Sequence, residues 1–271
     1  MNFEEKIKSL INKRHRIGLG INSVNTDVLN FLSSVSSVVD LTIFGTNIEN
    51  FNSVVSDDPE NEMAHYLKLN KIDGIVRGQL DAVKLRGAMS SVFGYSSNDF
   101  SDVALVEDVH GRFFTLCPIS NQQGWNKEHK MKLIDESIKI LKILDIPIKI
   151  GVLAGVRPGS LGKIPFLDET YKDAEEIVAH FKNGYDIKNY NIEFEKALAD
   201  QCSIITEVNG MVGNQVLRSL VFAGGLKIYG VPVCGIRETV IDTFRNSDDF
   251  TLYILFCAAL ISLKQQSYGK I

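Results

Sequence analysis

Cysteine, histidine and an excess of either charge are all scarce in this chain, and each scarcity excludes a class of protein. The four cysteines among 271 residues, Cys117, Cys202, Cys234 and Cys257, stand too far apart for a disulfide framework or a Cys-x-x-Cys motif. They read as small buried hydrophobes in a reducing compartment. The five histidines show no ligand spacing, so no metal site is expected. Lys and Arg total 29 against 33 Asp and Glu, a net charge of −4, which leaves no basic footprint for nucleic acid or an anionic membrane. The apolar stretch 252–263 falls short of the about 20 residues that span a bilayer. Residues 1–17 interleave Phe3, Ile7, Leu10 and Ile11 with Glu4, Glu5, Lys6 and Lys8, unlike a secretory signal. The expected location is cytoplasmic.

What is present is an ordinary globular composition, 45% hydrophobic and 23% charged, enough for one large α/β unit or two small domains. Apolar runs at 17–21, 38–44, 74–76, 103–106, 113–118, 148–154, 203–206 and 231–234 predict strands. Amphipathic stretches lie between most of them. In 130–144, Leu133, Ile134, Ile138, Leu141 and Ile143 recur at helical spacing, and the charge-rich 168–181 predicts another helix. Such alternation predicts a mainly parallel sheet with helices on both faces. The runs 103–106 and 113–118 flank Asp108-Val109-His110-Gly111 and predict an antiparallel hairpin. Lys13-Arg14-His15-Arg16 reads as the solvated cationic end of a first helix.

Several nucleotide-like patterns are incomplete. Gly18-Leu19-Gly20 with Asp40 outlines a dinucleotide site, but Ser23 occupies the third glycine position. Gly159-Ser160-Leu161-Gly162-Lys163 lacks its first glycine, at Arg157, and its hydroxyl, at Ile164. No Gly-x-Ser-x-Gly elbow exists. Gly155, Pro158, Gly159, Gly162 and Pro165 punctuate a loop after the strand 148–154. It stands where open α/β sheets bind ligands and equally reads as a surface connection. Arg77-Gly78, Arg157, Arg218, Arg237 and Arg245 are arginines beside glycines or at strand ends. Each alone reads as a surface or ion-pair residue; together they point to an anionic ligand such as phosphate or carboxylate.

Three blocks resemble the MtxX family, methanogenesis marker protein 4. They are Ile72-Asp73-Gly74-Ile75-Val76-Arg77-Gly78-Gln79-Leu80, Ile150-Gly151-Val152-Leu153-Ala154-Gly155-Val156-Arg157, and the long stretch from Glu207-Val208-Asn209-Gly210 to Asp242-Thr243-Phe244-Arg245. The last also resembles phosphate acetyl- and butyryltransferases in Gly213-Asn214 and Gly230-x-Pro232-Val233, with Arg218 where those enzymes carry a lysine. The resemblance implies a two-domain phosphate acyltransferase-like (isocitrate/isopropylmalate dehydrogenase-like) α/β fold with mainly parallel sheets and a cleft. The expected domains are 1–108 plus 236–271, and 109–235, and the expected assembly is a homodimer.

The same resemblance implies that Arg237 and Arg77 hold phosphate and that Asn214 and Arg218 position the ligand. Asp242 would serve as general base. Gly78, Arg157, Asn209 and Arg245 complete the expected ligand-binding set. No cofactor is required; CoA or phosphate is the expected substrate. One departure stands out: Ile236 occupies the position of the acyltransferase serine before Arg237, and isoleucine offers no donor to an oxyanion. Two functions follow. One is a phosphotransacylase-type transferase acting on an acyl-CoA or phosphorylated metabolite. The other is a non-catalytic accessory or regulatory partner of a methanogen methyltransferase, since no corrinoid or S-adenosylmethionine signature is seen.

Overall fold

The computed structural model describes residues 2–268. The chain forms two compact units, one from the residues up to Phe100 with those from Tyr229 onward, the other Ser101–Ile228. The first unit begins with α1 (Phe3–Leu10), β1 (Arg16–Ile21), α2 (Thr26–Val35), β2 (Asp40–Gly45), β3 (Asn52–Val54), α3 (Pro59–Lys68), β4 (Gly74–Val76) and α4 (Ala82–Phe93). The second unit holds β5 (Ser101–Asp102), β6 (Ala104–Glu107), β7 (Phe113–Cys117), α5 (Lys127–Ile143), β8 (Lys149–Leu153), α6 (Pro165–Phe181), β9 (Asp186–Asn191), α7 (Phe194–Ala199), β10 (Ile204–Thr206) and α8 (Gly210–Phe222). The strand β11 (Lys227–Cys234) leads back to β12 (Val240–Asp242) and α9 (Thr251–Tyr268).

The helix starts are written in local chemistry. Asn2 and Glu5 form a reciprocal capping box on α1, and Asn25, Asp58, Asp81, Asn126 and Asn209 each cap a helix through a side-chain oxygen. These caps satisfy amides that have no partner within the helix. In the first unit β3, β2, β1, β4 and β12 run parallel, and β11 pairs antiparallel with β12. The helix α9 is apolar nearly all round, as suits a helix buried in a core: Ile254, Phe256, Cys257, Ala258 and Ala259 are fully buried. No helix among the described residues is long and apolar enough to cross a membrane.

In the second unit β7, β10, β8 and β9 run parallel, and the predicted hairpin is present as antiparallel β6–β7. Its turn closes on Asp108, whose carbonyl accepts the Gly111 N–H at 2.9 Å, with Gly111 at φ +77°. All eight predicted strands occur and all four cysteines are buried. The basic cluster differs from expectation. His15 is fully buried, 2.7 Å from the Ser262 hydroxyl, while Arg14 and Arg16 pair with Asp40 and Asp73. The cluster is thus the entry to β1, tied to neighbouring strands, and not a solvated helix end.

Candidate functional site

The carboxyl ends of parallel strands are where open α/β sheets hold ligands. In the first unit, that end collects Asn22 and Ser23 after β1, Arg77-Gly78-Gln79 after β4, and Asp242 at the end of β12. Two glycines make the arrangement possible. Gly78 has φ +62°, and a Cβ there would lie 1.9 Å from the Gly20 carbonyl; one on Gly20 would lie 2.3 Å from the Arg77 carbonyl. The Gly18-Leu19-Gly20 pattern therefore serves close strand–strand passage, with Gly18 facing Ile72 and Phe44. Asp40 sits at the amino end of β2 and pairs with Arg14, the wrong end of the strand for a ribose.

Arg77 is 5% exposed, and its guanidinium is fully engaged. Nε donates to Asp242 Oδ1, Nη1 to the Leu80 carbonyl and Nη2 to the Thr243 carbonyl. Asp242 also accepts the Thr243 N–H at 2.7 Å, and Arg86 Nη2 stands 3.8 Å from its second oxygen. Arg77 and Asp242, expected to act on a ligand in different roles, thus bind each other. Arg86, on α4, escaped the sequence reading although Gly87 follows it, because it lies within a helix and not at a strand end. It is partly exposed and lies 6.0 Å from the centre of the Phe100 ring. Arg77, Arg86 and Asp242 border a narrow pocket whose apolar wall includes Leu85, Met89, Phe100 and Val233. Ile236 also lines it and packs against the apolar cluster of this unit.

Arg245 extends from the same strand end and donates to Asp81 at 2.6 Å. The Asp81 carboxyl is held below its usual range by the Lys84 N–H and by Arg245. Arg237 is elsewhere. It lies in the loop entering β12, exposed, beside a basin that also contains Asp73 and Thr239 at the amino ends of β4 and β12. The structure does not bring Arg237 and Asp242 together; it places them beyond opposite ends of one strand.

In the second unit two of the expected residues, Asn209 and Asn214, stand at the start of α8. Asn209 is 2% exposed and caps the helix by accepting the Val212 N–H at 3.0 Å. Asn214 Nδ2 donates to the Ile119 carbonyl at 2.9 Å. A Cβ on Gly210 would lie 1.7 Å from the Ser120 carbonyl, and one on Gly213 1.9 Å from that of Pro118. The Asn209-Gly210…Gly213-Asn214 pattern thus docks α8 onto the segment after β7. Arg218 lies over the Phe222 ring at 5.5 Å, and Arg157 pairs with Glu193 at 3.4 Å.

The sequence reading also passed over Glu207, at the carboxyl end of β10. It is 4% exposed, and no cation pairs with it among the described residues. Burial pushes its carboxyl up to about 7, only partly opposed by the Val208 N–H. An acid before Asn-Gly reads as an ordinary helix lead-in; only burial sets it apart.

The first unit thus has a cationic strand end on a doubly wound scaffold, and the fold is that of the phosphotransacylases. A branched-chain phosphotransacylase from Enterococcus faecalis matches it with a TM-score of 0.71 at 17% identity, over 92% of this chain and 99% of that one. No family model matches the sequence. Relatives do. An uncharacterized methyltransferase of Methanocaldococcus jannaschii is 33% identical over 185 residues, 66% of this chain and 74% of that protein. A Methanosarcina mazei protein, provisionally named methyltransferase mtx subunit X, is 28% identical over 233 residues, 86% of this chain and 81% of its own length. The chain belongs to the MtxX family.

Two outcomes follow from this geometry. Replacing Arg77 with Met removes one partner of a buried ion pair and should cost about 3–5 kcal/mol, read as a lower urea midpoint. Glu207 has a raised folded pKa, so its contribution is fully present below the ordinary 4.5 and is lost as pH rises through about 7. Glu207→Gln should therefore match wild type near pH 4 and exceed it by on the order of 3 kcal/mol at pH 8. Thermal melts at the two pH values check this; a gain independent of pH would contradict it.

Proposed function

We propose that this chain binds an acyl-CoA or a phosphorylated metabolite through the arginines at the carboxyl end of the first unit's strands. It would do so as a ligand-binding accessory partner in methyl transfer, without working as a phosphotransacylase. The observation that carries the reading is the state of Asp242. One oxygen is taken by Arg77 Nε and the Thr243 N–H, and the other faces Arg86. A carboxylate so placed orients two arginines and is not open to take a proton from a thiol. Ile236, where the acyltransferase pattern has a serine, is packed in the apolar cluster and offers no donor to an oxyanion. Arg86 and Arg245 are the arginines of this end that reach solvent. Arginine forks suit phosphate. The methyl-transfer context comes from the relatives' names alone.

Thermal-shift and calorimetric titration with phosphate, acetyl phosphate and CoA tests the binding. A ligand at about 100 times its dissociation constant should stabilise by about 2.7 kcal/mol. Arg86→Gln should weaken binding roughly ten- to 150-fold, the loss of one charged hydrogen bond. No response to any phosphorylated compound would sink the reading. Phosphotransacetylase turnover at an ordinary rate would sink its non-catalytic half.

A homodimer is proposed on a separate observation. The apolar helix α8 buries only Gly210, Gly213 and Leu217, and leaves Met211 and Phe222 50% and 61% exposed. A second copy would cover that face. Light scattering at micromolar concentration should give a dimer mass for wild type and a monomer mass for Phe222→Glu; a monomeric wild type refutes the assignment.

A further inference from the structure

Strand order in the first unit reverses beside β1. The strands β2 and β3 lie on one side of it, β4 and β12 on the other. At such a reversal the carboxyl ends of neighbouring strands open a crevice that suits a ligand. Two polar side chains at this end are more than nine-tenths buried, Gln79 at 7% and Glu60 at 4% exposure. Each is held at one end and unpartnered at the other. Gln79 Oε1 accepts the Asn22 N–H at 2.8 Å and the Ser23 N–H at 2.9 Å. Two N–H groups require the carbonyl oxygen at that place, so the amide nitrogen faces the other way, and it has no acceptor among the described residues. Glu60, in the first turn of α3, accepts the Asp81 N–H on Oε1 at 2.8 Å. Its Oε2 has no partner among the described residues.

Neither unpartnered end is sealed. Among the described residues the sealed side-chain atoms without a partner are His15 Nδ1, Ser101 Oγ and Asn191 Oδ1, so Gln79 Nε2 and Glu60 Oε2 both meet solvent. One strand end thus presents a fixed donor and a fixed acceptor. Asp81 links them to the arginines: its N–H goes to Glu60, and its carboxylate accepts Arg245 at 2.6 Å. Glu60 Oε2 is able to accept from an ammonium or from a hydroxyl, and the helix starts decide between them. Both α3 and α4 begin here, and each helix N-terminus carries about half a positive charge. That field favours the carboxylate and opposes a second cation. A neutral O–H is the donor that fits, and a hydroxyl also accepts, as the Gln79 amide requires.

We infer that the ligand of this strand end is a phosphate monoester of a polyol, the class that includes sugar phosphates, with its hydroxyls on Glu60 Oε2 and Gln79 Nε2. The inference rests on the reading above that the arginines hold the phosphate, and it names the rest of the ligand.

Glycerol 3-phosphate and propyl phosphate are the probes, titrated calorimetrically into the full chain. They share the phosphate and the chain length and differ in their hydroxyls. Glycerol 3-phosphate should bind roughly ten- to 150-fold more tightly, the effect of one hydrogen bond to a charged group. Glu60→Gln keeps an acceptor for the Asp81 N–H and removes the charge, and should cut that ratio by roughly five- to tenfold. Arg86→Gln should weaken both probes alike and leave the ratio unchanged. The Gln79 side-chain amide resonances should shift with glycerol 3-phosphate and not with propyl phosphate. Equal binding of the two probes, or an undiminished ratio in Glu60→Gln, overturns this inference and leaves the phosphate reading standing. Tighter binding of O-phosphoethanolamine than of glycerol 3-phosphate overturns the hydroxyl assignment. If neither probe binds at millimolar concentration, the phosphate reading falls and this inference with it.

Discussion

The first unit depends on one guanidinium. It is built from two separated stretches of chain, and the returning stretch enters the sheet through β12, a strand of three residues. Its register against β4, Val240 opposite Ile75 and Ile241 opposite Val76, is extended by the Arg77 N–H to the Ile241 carbonyl at 3.0 Å. The Arg77 side chain then spends its fork on Asp242, Thr243 and Leu80, binding both stretches at once. A charge so buried is tolerable only with all its partners present. Gly20 and Gly78 are part of the same device, since a side chain at either would push apart the two strand ends that frame the arginine.

Much of the fold was legible because its strands are buried on both faces. Such strands read as continuous apolar runs, and all eight runs proved to be strands. The ones not foreseen are those to which that rule does not apply. The strand β9 is Asp-Ile-Lys-Asn-Tyr-Asn at a sheet edge, with only Tyr190 buried; β3 is another polar edge strand, and β5 and β12 are too short to show a pattern. Helix starts were less well placed: the patterns beginning at 130 and 168 lie three residues inside α5 and α6, because apolar spacing marks the buried face of a helix and not its first turn.

The site was legible in its parts and not in its pairing. Of the arginines singled out beside a glycine or at a strand end, Arg77 and Arg245 lie at one strand end of the first unit. The partnership of Arg77 with Asp242 spans 165 positions, and no local rule predicts it. Arg237 and Asp242 misled for the opposite reason. Five positions apart, they look like neighbours, but with an extended strand between them, at about 3.3 Å per residue, they emerge at its two ends. Asn209 and Asn214 were expected as ligand contacts from the resemblance, in a stretch whose glycines and amide side chains suit close approach to an anion. They suit close approach of a helix to a carbonyl-rich segment equally well, and here they serve that approach.

The isoleucine at 236 belongs to the same logic. With Phe100, Val233 and Val240 it lines the apolar wall beside Arg77 and Asp242. Apolar neighbours lower the local dielectric, and an ion pair in such surroundings attracts far more strongly than one in water. A serine there would thin that wall and bring in a hydroxyl that itself needs a partner, a cost of about 1–3 kcal/mol when none is found. The departure from the acyltransferase pattern and the engagement of Asp242 are therefore one feature seen twice. The apolar wall that withholds a donor from an oxyanion is the wall that keeps the arginine and the aspartate closed on each other, and through them the unit.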